Sequence, residues 1–195
     1  YGDSPYQCFS AFAGNPLLID LEKLVEDGFL SRKDLEKAPE FPENKVDFGA
    51  VINFKFPLLR KAYEQFKEKT EKQPLLREKF ERFCENNRTW LDDFALFMAL
   101  KEEFGGKSWL EWDKDVRFRE PDVLKAYQLK LRDKIEFQKF RQYLFFIAGN
   151  KQLLCNYTLH AGPAPFCRRL WREQAKYQLG EDCLIPPLPR SLKIL

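Results

Sequence analysis

The clearest structural signal in the 195-residue sequence is WLDDFALFMALKEEFGG, which runs from Trp90 to Gly106. Apolar residues recur in it at intervals of three and four, as they do on one face of an α-helix; they are Leu91, Phe94, Ala95, Met98 and Leu100. The pair Gly105-Gly106 follows, and glycine readily ends a helix in a left-handed turn. The pattern therefore predicts a helix from Trp90 to Phe104.

The same spacing predicts further helices on both sides of this one. Proline at the first helical position loses no hydrogen bond, because the N–H it lacks would be unpaired there anyway. Pro57 and Pro74 are therefore predicted to begin helices, and a long helix is predicted from Pro121 to about Phe146. Before Pro57, residues 46–54 contain β-branched and aromatic side chains and predict a short strand.

Capping residues predict two short helices nearer the beginning of the chain. Residues 1–19 contain glycine and proline too closely spaced for a long helix and are predicted to be loop. Asp20 can accept hydrogen bonds from the first free N–H groups of a helix, and Gly28 can close that helix. Ser31 followed by Asp34 is a second capping signal.

Composition and charge exclude several classes of protein. With 44% hydrophobic and 32% charged residues, the chain is too apolar to be disordered and too charged to be a membrane protein. Its apolar runs are far shorter than the roughly 20 residues that cross a bilayer. Residues 1–146 carry 26 Lys and Arg against 27 Asp and Glu, interleaved as on solvated helix faces, which argues against nucleic-acid binding.

The cysteines indicate neither a metal site nor a disulfide framework. They are odd in number, have no C-x-x-C spacing and are accompanied by a single histidine, His160; they are Cys8, Cys84, Cys155, Cys167 and Cys183. We therefore expect no metal, no cofactor and a reducing, intracellular compartment.

Four blocks, in order, resemble the 4-alpha-glucanotransferases, which include amylomaltase and the disproportionating enzyme. The first is YGDSPYQ, residues 1–7, continuing as SAFAGNPLLID over residues 10–20. The others are VDFG (46–49), WLDDFALFMALK (90–101) and the segment from Ile135 to Phe146. The resemblance covers residues 1–146, which correspond to a minority of a full-length family member.

The resemblance implies a fold and a reaction. The family fold is an α/β (β/α)8 barrel with a largely helical insertion, so this fragment is expected to be mainly α by itself. The family transfers segments of α-1,4-glucans between maltooligosaccharides by a retaining mechanism, without a cofactor. Its catalytic carboxylates lie beyond the matched region, so the chain alone is expected to be inactive. The resemblance also implies a cytoplasmic protein, or a plastid stromal one if the source is a plant or alga.

Three residues of the first block are candidate glucan contacts. Ser4 and Tyr6 match family positions that line the sugar cleft, and a hydroxyl and an aromatic ring suit the edges and the apolar face of a sugar. The alternative is a surface turn with a core tyrosine. Tyr1 matches an aromatic residue of a secondary glucan-binding surface, but Ile52 stands where some relatives carry a second aromatic residue.

Other polar and aromatic residues have a structural interpretation beside the functional one. Gln7, Asn15 and Asp20 are expected to fix the loop by hydrogen bonding. Asp92 and Asp93 are expected to be structural, because adjacent helical residues point about 100° apart.

Trp109 and Trp112 are predicted either to form a sugar-stacking platform or to pack in the core. For His160 no partner or pocket can be proposed, so it is assigned no role.

After Phe146 the resemblance stops and the composition changes. Residues 147–195 hold five of the twelve prolines, three of the five cysteines and seven Lys and Arg against three Asp and Glu. We expect two regions, 1–146 and a poorly ordered tail at 147–195, with a short helix near residues 168–177. A frameshift, a retained intron or a truncated gene would explain the change, and sequencing the transcript tests this. Since no Met begins the sequence, the natural N-terminus is expected upstream.

Two functions from other classes stay open beside the glucanotransferase. One is a helical module that binds carbohydrate or protein and does no chemistry. The other is a nucleic-acid binder, which rests on the basic tail alone. The oligomeric state is not predicted.

Overall fold

A computed structural model describes residues 10, 12–41 and 46–160, with side chains as far as residue 147. The chain divides into two compact units, Tyr1–Leu153 and Leu154–Leu195, and every side chain discussed below belongs to the first. The described residues form helices and contain no strand. This confirms the prediction that the fragment is mainly α for that part of the chain. The resemblance also implied the start of a (β/α)8 barrel, but none of the described residues forms a barrel strand.

The helices are named in chain order. They are α1 (Leu21–Glu26), α2 (Arg32–Leu35), α3 (Phe48–Lys72), α4 (Pro74–Asn86), α5 (Arg88–Glu103), α6 (Lys114–Arg117), α7 (Pro121–Lys130) and α8 (Arg132–His160), with 3-10 turns at Pro16–Leu18 and Trp109–Glu111.

The predicted caps of α1 are confirmed. The Asp20 carboxylate accepts from the backbone N–H groups of Glu22 at 2.9 Å and Lys23 at 3.4 Å. Gly28 follows the helix with a φ of 71°, a left-handed conformation that costs glycine little.

The second cap, between Ser31 and Asp34, is also present and gains an ion pair. The Asp34 carboxylate accepts from the Ser31 backbone N–H at 3.0 Å and the Ser31 hydroxyl at 2.8 Å. Lys61 of α3 donates to the same carboxylate at 2.6 Å. The Lys61 ammonium, helped by both Ser31 donors, lowers the pKa of Asp34 to about 2. The Asp34 carboxylate therefore both caps α2 and joins α2 to α3.

The strand predicted for residues 46–54 is wrong. Helix α3 already begins at Phe48, because the Asp47 carboxylate accepts from the Ala50 N–H at 3.0 Å and caps it. Pro57 therefore lies inside the helix and does not begin it. Its ring is on the exposed face, where water can reach the carbonyl of Asn53 that the missing N–H leaves unpaired. A cap and a buried helical face outweigh the strand preference of β-branched residues.

Helices α4 and α5 follow their predictions closely. Pro74 begins α4, as predicted, and α5 spans Arg88–Glu103 where the sequence predicted Trp90 to Phe104. The two glycines end α5 with φ angles of 66° and 78°, and the Gly106 N–H donates to the Lys101 carbonyl at 2.7 Å. Local signals therefore suffice for these two elements.

The single long helix predicted from Pro121 to Phe146 is two helices. Leu131 interrupts the helical backbone between α7 and α8, and its side chain, only 3% exposed, packs in a core. No glycine or proline marks this break. The predicted end near Phe146 is too early, because α8 continues to His160. Although α8 has 29 residues, no helix in the described part of the chain is long and apolar enough to span a membrane.

The larger core lies between α3, α4 and α8 and is rich in aromatic rings. Tyr63 and Phe66 of α3 meet Phe140 of α8 with centroid distances of 5.4 and 4.7 Å, and Phe66 lies 5.1 Å from Phe80 of α4. Such tilted and edge-on pairs contribute about 0.5–1.5 kcal/mol each beyond the area they bury. This core fixes α8 against α3.

A second core lies between α5, the turn at Trp109–Glu111, α6 and α7. Trp112, 6% exposed, stacks on Phe104 at 5.2 Å and packs against Phe97 at 5.4 Å. The rest of its buried part is formed by Val116, Leu131 and three residues of α5: Leu96, Ala99 and Leu100.

Candidate functional site

The candidate glucan contacts Tyr1, Ser4 and Tyr6 lie outside the described residues, as does Gln7. The structure does describe Ser10 and residues 12–20, which come next in the chain and are here called the anchor segment. The described part of the candidate site therefore consists of the contacts that hold the anchor segment.

Gly14, in the middle of the anchor segment, is bound by one side chain from α8. The Gly14 N–H donates to Oε1 of Gln142 at 2.8 Å, and Nε2 of Gln142 donates to the Gly14 carbonyl at 3.0 Å. Gln142 is 1% exposed. A Cβ on Gly14 would lie 2.0 Å from Cδ1 of Phe145, so only glycine allows the backbone to lie this close to α8.

Two local hydrogen-bonded turns shape the anchor segment on either side of Gly14. The Ser10 hydroxyl accepts from the N–H groups of Phe12 at 3.1 Å and Ala13 at 3.3 Å. The Asn15 side chain accepts from the Leu17 N–H at 3.0 Å. Asn15 thus fixes the loop, as predicted from the sequence, whereas the described bonds of Asp20 cap α1.

Lys55 of α3 holds the far end of the anchor segment. Its ammonium donates to the Leu17 carbonyl at 2.6 Å. Burial of the amine lowers the pKa of Lys55 to about 8, against the attraction of Asp20, which raises it. Ile19, 1% exposed, anchors the same end in the larger core.

Phe12 places an aromatic ring at the near end of the anchor segment. It stacks on Trp90 of α5 with a centroid distance of 6.3 Å and an interplanar angle of 24°, and it remains 42% exposed. An aromatic face partly open to solvent, shortly after the candidate contacts, suits sugar stacking. Phe12 lies within the first block of the resemblance.

A cleft of about 400 Å³ opens between α1, α3, α4 and α8. Phe29 and Tyr143 line it but are only 6% and 4% exposed, so neither offers a free face to a sugar. At the rim, Lys69 donates to the Asp27 carbonyl at 2.9 Å. The cleft is a gap in helix packing and not a stacking platform.

Asp92 and Asp93 have different partners. Asp92 forms an ion pair with Lys139 of α8, while Asp93 accepts from Arg119 at 2.7 Å. The two carboxylates point to different partners, in agreement with the structural role predicted for them.

Trp109 and Trp112 differ in burial. Trp112 packs in the second core, whereas Trp109 is 51% exposed. Core packing is therefore right for Trp112, and a stacking role stays open for Trp109.

No metal or thiol chemistry is built into the part of the chain whose side chains are described. No group of three His, Cys, Asp or Glu residues there could hold a metal ion. Cys84 is a free thiol whose pKa burial raises to about 11, so little reactive thiolate is present at neutral pH. The side chain of His160 lies outside the described residues.

Comparison with known proteins assigns the family. The sequence profile of the 4-alpha-glucanotransferases matches residues 1–153. The chain belongs to the 4-alpha-glucanotransferase family. The match extends slightly past residue 146, where the resemblance was expected to end.

Individual 4-alpha-glucanotransferases agree with this assignment. That of Thermus thermophilus is 47% identical over 146 residues, which are 75% of this chain and 28% of the relative. The chloroplastic/amyloplastic protein of Oryza sativa subsp. japonica is 35% identical over 144 residues, 73% of this chain and 23% of the relative. The chain thus spans less than a third of the length of these curated relatives.

A solved structure of the family agrees in fold. It is an amylomaltase from Streptococcus agalactiae in complex with acarbose, with a TM-score of 0.67 and 32% identity. The similarity covers 92% of this chain and 31% of the amylomaltase.

In this member of the family, sequence reasoning missed the residues that hold the anchor segment from outside. Gln142 lies in a recognised block, but its partner Gly14 is 128 positions away. Lys55 and Leu17 are 38 positions apart. No local pattern pairs residues at such separations.

Proposed function

We propose that this chain is part of an enzyme that transfers α-1,4-glucan segments between maltooligosaccharides. The family match over residues 1–153 carries the proposal. A related amylomaltase whose structure holds acarbose supports an α-glucan ligand. The chain would work in the cytoplasm, or in a plastid if its source is a plant or alga, with no membrane or nucleic-acid partner.

The reaction is proposed to be retaining, with both catalytic carboxylates supplied by sequence beyond the matched region. In such a mechanism one carboxylate attacks the anomeric carbon, a carboxylic acid protonates the leaving oxygen, and an acceptor sugar then takes the glycosyl group. Asp92 and Asp93, the tempting substitutes, are each engaged in an ion pair with a different partner. The chain alone is therefore expected to bind glucan without transferring it.

The proposed glucan contacts are Ser4 and Tyr6, with Tyr1 at a secondary surface. A sugar ring presents hydroxyl groups at its edge, which a serine hydroxyl can pair, and an apolar face, which a tyrosine can cover. The match of the family profile to residues 1–153, which include these three positions, supports this proposal.

A non-catalytic binding module is the second candidate. The observation that favours it is the pair of buried clusters that the described helices build without any strand. A monomer that binds maltooligosaccharide saturably, and gains no activity when downstream sequence is restored, would support the module.

The test measures glucose release and binding on the same material. Purified chain is expected to release no glucose from maltotriose, whereas a fusion to the downstream part of the Thermus thermophilus relative releases it. Maltoheptaose binding is followed by calorimetry.

Loss of a stacking tyrosine in Tyr6→Ala should weaken binding about tenfold, on the scale of 1–3 kcal/mol for an aromatic platform. Phe118→Ala removes an aromatic residue that is 66% exposed and has no proposed role, so it is the control. Equal affinity of Tyr6→Ala and the unaltered chain would remove Tyr6 from the site, and glucose release by the chain alone would contradict the missing carboxylates.

A further inference from the structure

Trp109 is a large aromatic side chain that the fold leaves at the surface. It is 51% exposed and belongs to neither core, and Leu110 beside it is 60% exposed. Trp112, three residues later, is 6% exposed and stacks on Phe104, so the second core does not need the indole of Trp109. A single exposed apolar residue needs no explanation, but the loop that presents this one is held in place by several side chains.

Residues 105–111, here called the tryptophan loop, are held at their start by two side chains. The Lys101 ammonium of α5 donates to the carbonyls of Gly106 at 2.8 Å and Lys107 at 3.3 Å. The indole N–H of Trp112 donates to the same Lys107 carbonyl at 3.3 Å. Because Trp112 is buried in the second core, the start of the loop is fixed to that core.

The end of the tryptophan loop is held in the same way. Nη1 of Arg117, the last residue of α6, donates to the Leu110 carbonyl at 3.0 Å. The Ser108 hydroxyl accepts from the Leu110 N–H at 3.4 Å and caps the turn that contains Trp109. Since the backbone is bound on both sides of Trp109, little conformational freedom is lost when a ligand covers the ring, which favours binding.

The side chains of the tryptophan loop match the surface of a sugar. A glucose ring has an apolar face, which an indole can cover, and hydroxyl groups around its edge. The indole N–H of Trp109 and the Ser108 hydroxyl can donate to such groups. Glu111, exposed and in no ion pair among the described residues, supplies an acceptor. One short turn therefore carries a stacking face, donors and an acceptor.

The size of the apolar patch favours a sugar over a protein partner. Stable protein interfaces cover about 800 Å² on each side. Trp109 and Leu110 are the apolar side chains of the tryptophan loop, and Lys107, Ser108 and Glu111 around them are polar and exposed. Two apolar side chains are too few for such an interface but enough for a sugar ring. The charges of Lys107 and Glu111 cancel, as suits an uncharged ligand.

We propose that Trp109 is the stacking residue of a surface site for α-1,4-glucan, with Ser108 and Glu111 as its hydrogen-bonding partners. The inference rests on the proposed function, which supplies the class of ligand. The site uses other residues than the proposed contacts Ser4 and Tyr6. A surface site of this kind holds a long glucan at the protein and so raises its effective concentration there.

Acrylamide quenching of tryptophan fluorescence tests the site on the full chain. The sequence holds four tryptophans, so the difference between the unaltered chain and Trp109→Ala isolates the signal of Trp109. Excess maltoheptaose should lower the quenching of this signal about twofold or more, because the ring is half exposed and a sugar covers one face. Sorbitol, which has no ring face, should not. Tyr6→Ala should keep the protection, since it changes no residue of the tryptophan loop.

The affinity of the site is measured by calorimetry with maltoheptaose, in the Tyr6→Ala background so that Tyr6 does not mask the tryptophan loop. Trp109→Ala should weaken binding about threefold to tenfold through loss of the stacked ring. Trp109→Tyr keeps a ring and should stay within about twofold, and it provides a folded variant if Trp109→Ala unfolds. Phe118→Ala removes another aromatic side chain, 66% exposed, and should change nothing.

Maltoheptaose that leaves Trp109 as open to acrylamide as sorbitol does, or an equal loss of affinity in Phe118→Ala, would overturn the proposal. Weaker self-association of Trp109→Ala in sedimentation velocity, with unchanged maltoheptaose affinity, would assign the loop to a protein contact and also overturn it. Glucose release by the fusion to the Thermus thermophilus sequence decides the proposed function separately. Release without protection of Trp109 rejects the surface site alone, and protection without release rejects the proposed activity alone.

Discussion

Arg141, next to Gln142 on α8, is a charged residue that the fold buries. Its guanidinium lies over the rings of Phe56 at 4.8 Å and Phe137 at 5.5 Å, and its buried Nε has no hydrogen-bond partner among the described residues. Burial lowers the pKa of Arg141 to about 10, against the weaker attraction of Glu102. The charged form is therefore less favourable in the folded chain than in water.

We predict that Arg141→Met stabilises the chain. Two cation–π contacts return about 0.5–2 kcal/mol each, but burying a guanidinium whose Nε has no acceptor costs several kcal/mol. Replacement by an apolar side chain of similar length should therefore raise the free energy of unfolding by about 1–3 kcal/mol, measured by urea titration. Arg132→Met changes an exposed arginine on the same helix and should stay within about 0.5 kcal/mol of the unaltered chain. A clear loss of stability in Arg141→Met would mean that the guanidinium has an acceptor.

Among the helices, Pro57 shows that a local sequence pattern does not decide where a helix begins. A proline followed by apolar residues at helical spacing can stand at the start of a helix or on the exposed face inside one. The pattern does not distinguish the two positions. Pro74 begins α4, while Pro57 lies nine residues inside α3, whose cap is Asp47. The difference depends on the capping bond that Asp47 makes ten residues before Pro57, and not on the proline itself.

We predict different effects when these two prolines are replaced by alanine. Pro57→Ala restores the hydrogen bond to the Asn53 carbonyl and should raise the free energy of unfolding by about 1–3 kcal/mol, the usual cost of an interior proline less its entropic benefit. Pro74→Ala restores no bond, because the first N–H of a helix is unpaired in any case. Its effect should be neutral or slightly destabilising in the same urea titration. Equal effects of the two changes would show that Pro57 costs α3 nothing.

The elements that the sequence predicts correctly are those whose signals are local. Asp20, Ser31 with Asp34, Pro74 and the glycine pair after α5 all act within four residues, and each is found as predicted. The break at Leu131 has no such signal, since neither glycine nor proline marks it and the residue packs in the second core. The same holds for the site: the block that contains Gln142 is recognisable, but its bond to Gly14 depends on tertiary packing.

For the whole molecule, the open question is what covers its apolar surface. Several large apolar side chains remain exposed, among them Phe118 at 66%, Leu129 at 80% and Val46 at 64%. Unpaired strand edges in a half-built barrel would also make a fragment associate, but the described residues contain no strand. Since the chain spans less than a third of the length of its curated relatives, exposed apolar side chains are the better physical reason to expect association.

We predict that Leu129→Lys reduces self-association of the chain. An apolar side chain that is 80% exposed gains by burial against a second copy, at about 25 cal/mol per Å² of apolar area removed from water. A lysine at this position of α7 must instead lose its hydration to enter the same contact, which is unfavourable. Gln128→Lys adds the same charge to a neighbouring exposed position without removing apolar surface. Sedimentation velocity over a range of concentrations should show less association for Leu129→Lys than for the unaltered chain. Gln128→Lys should associate as much as the unaltered chain does. Equal behaviour of the two variants would assign the effect to charge repulsion and exclude Leu129 as a contact.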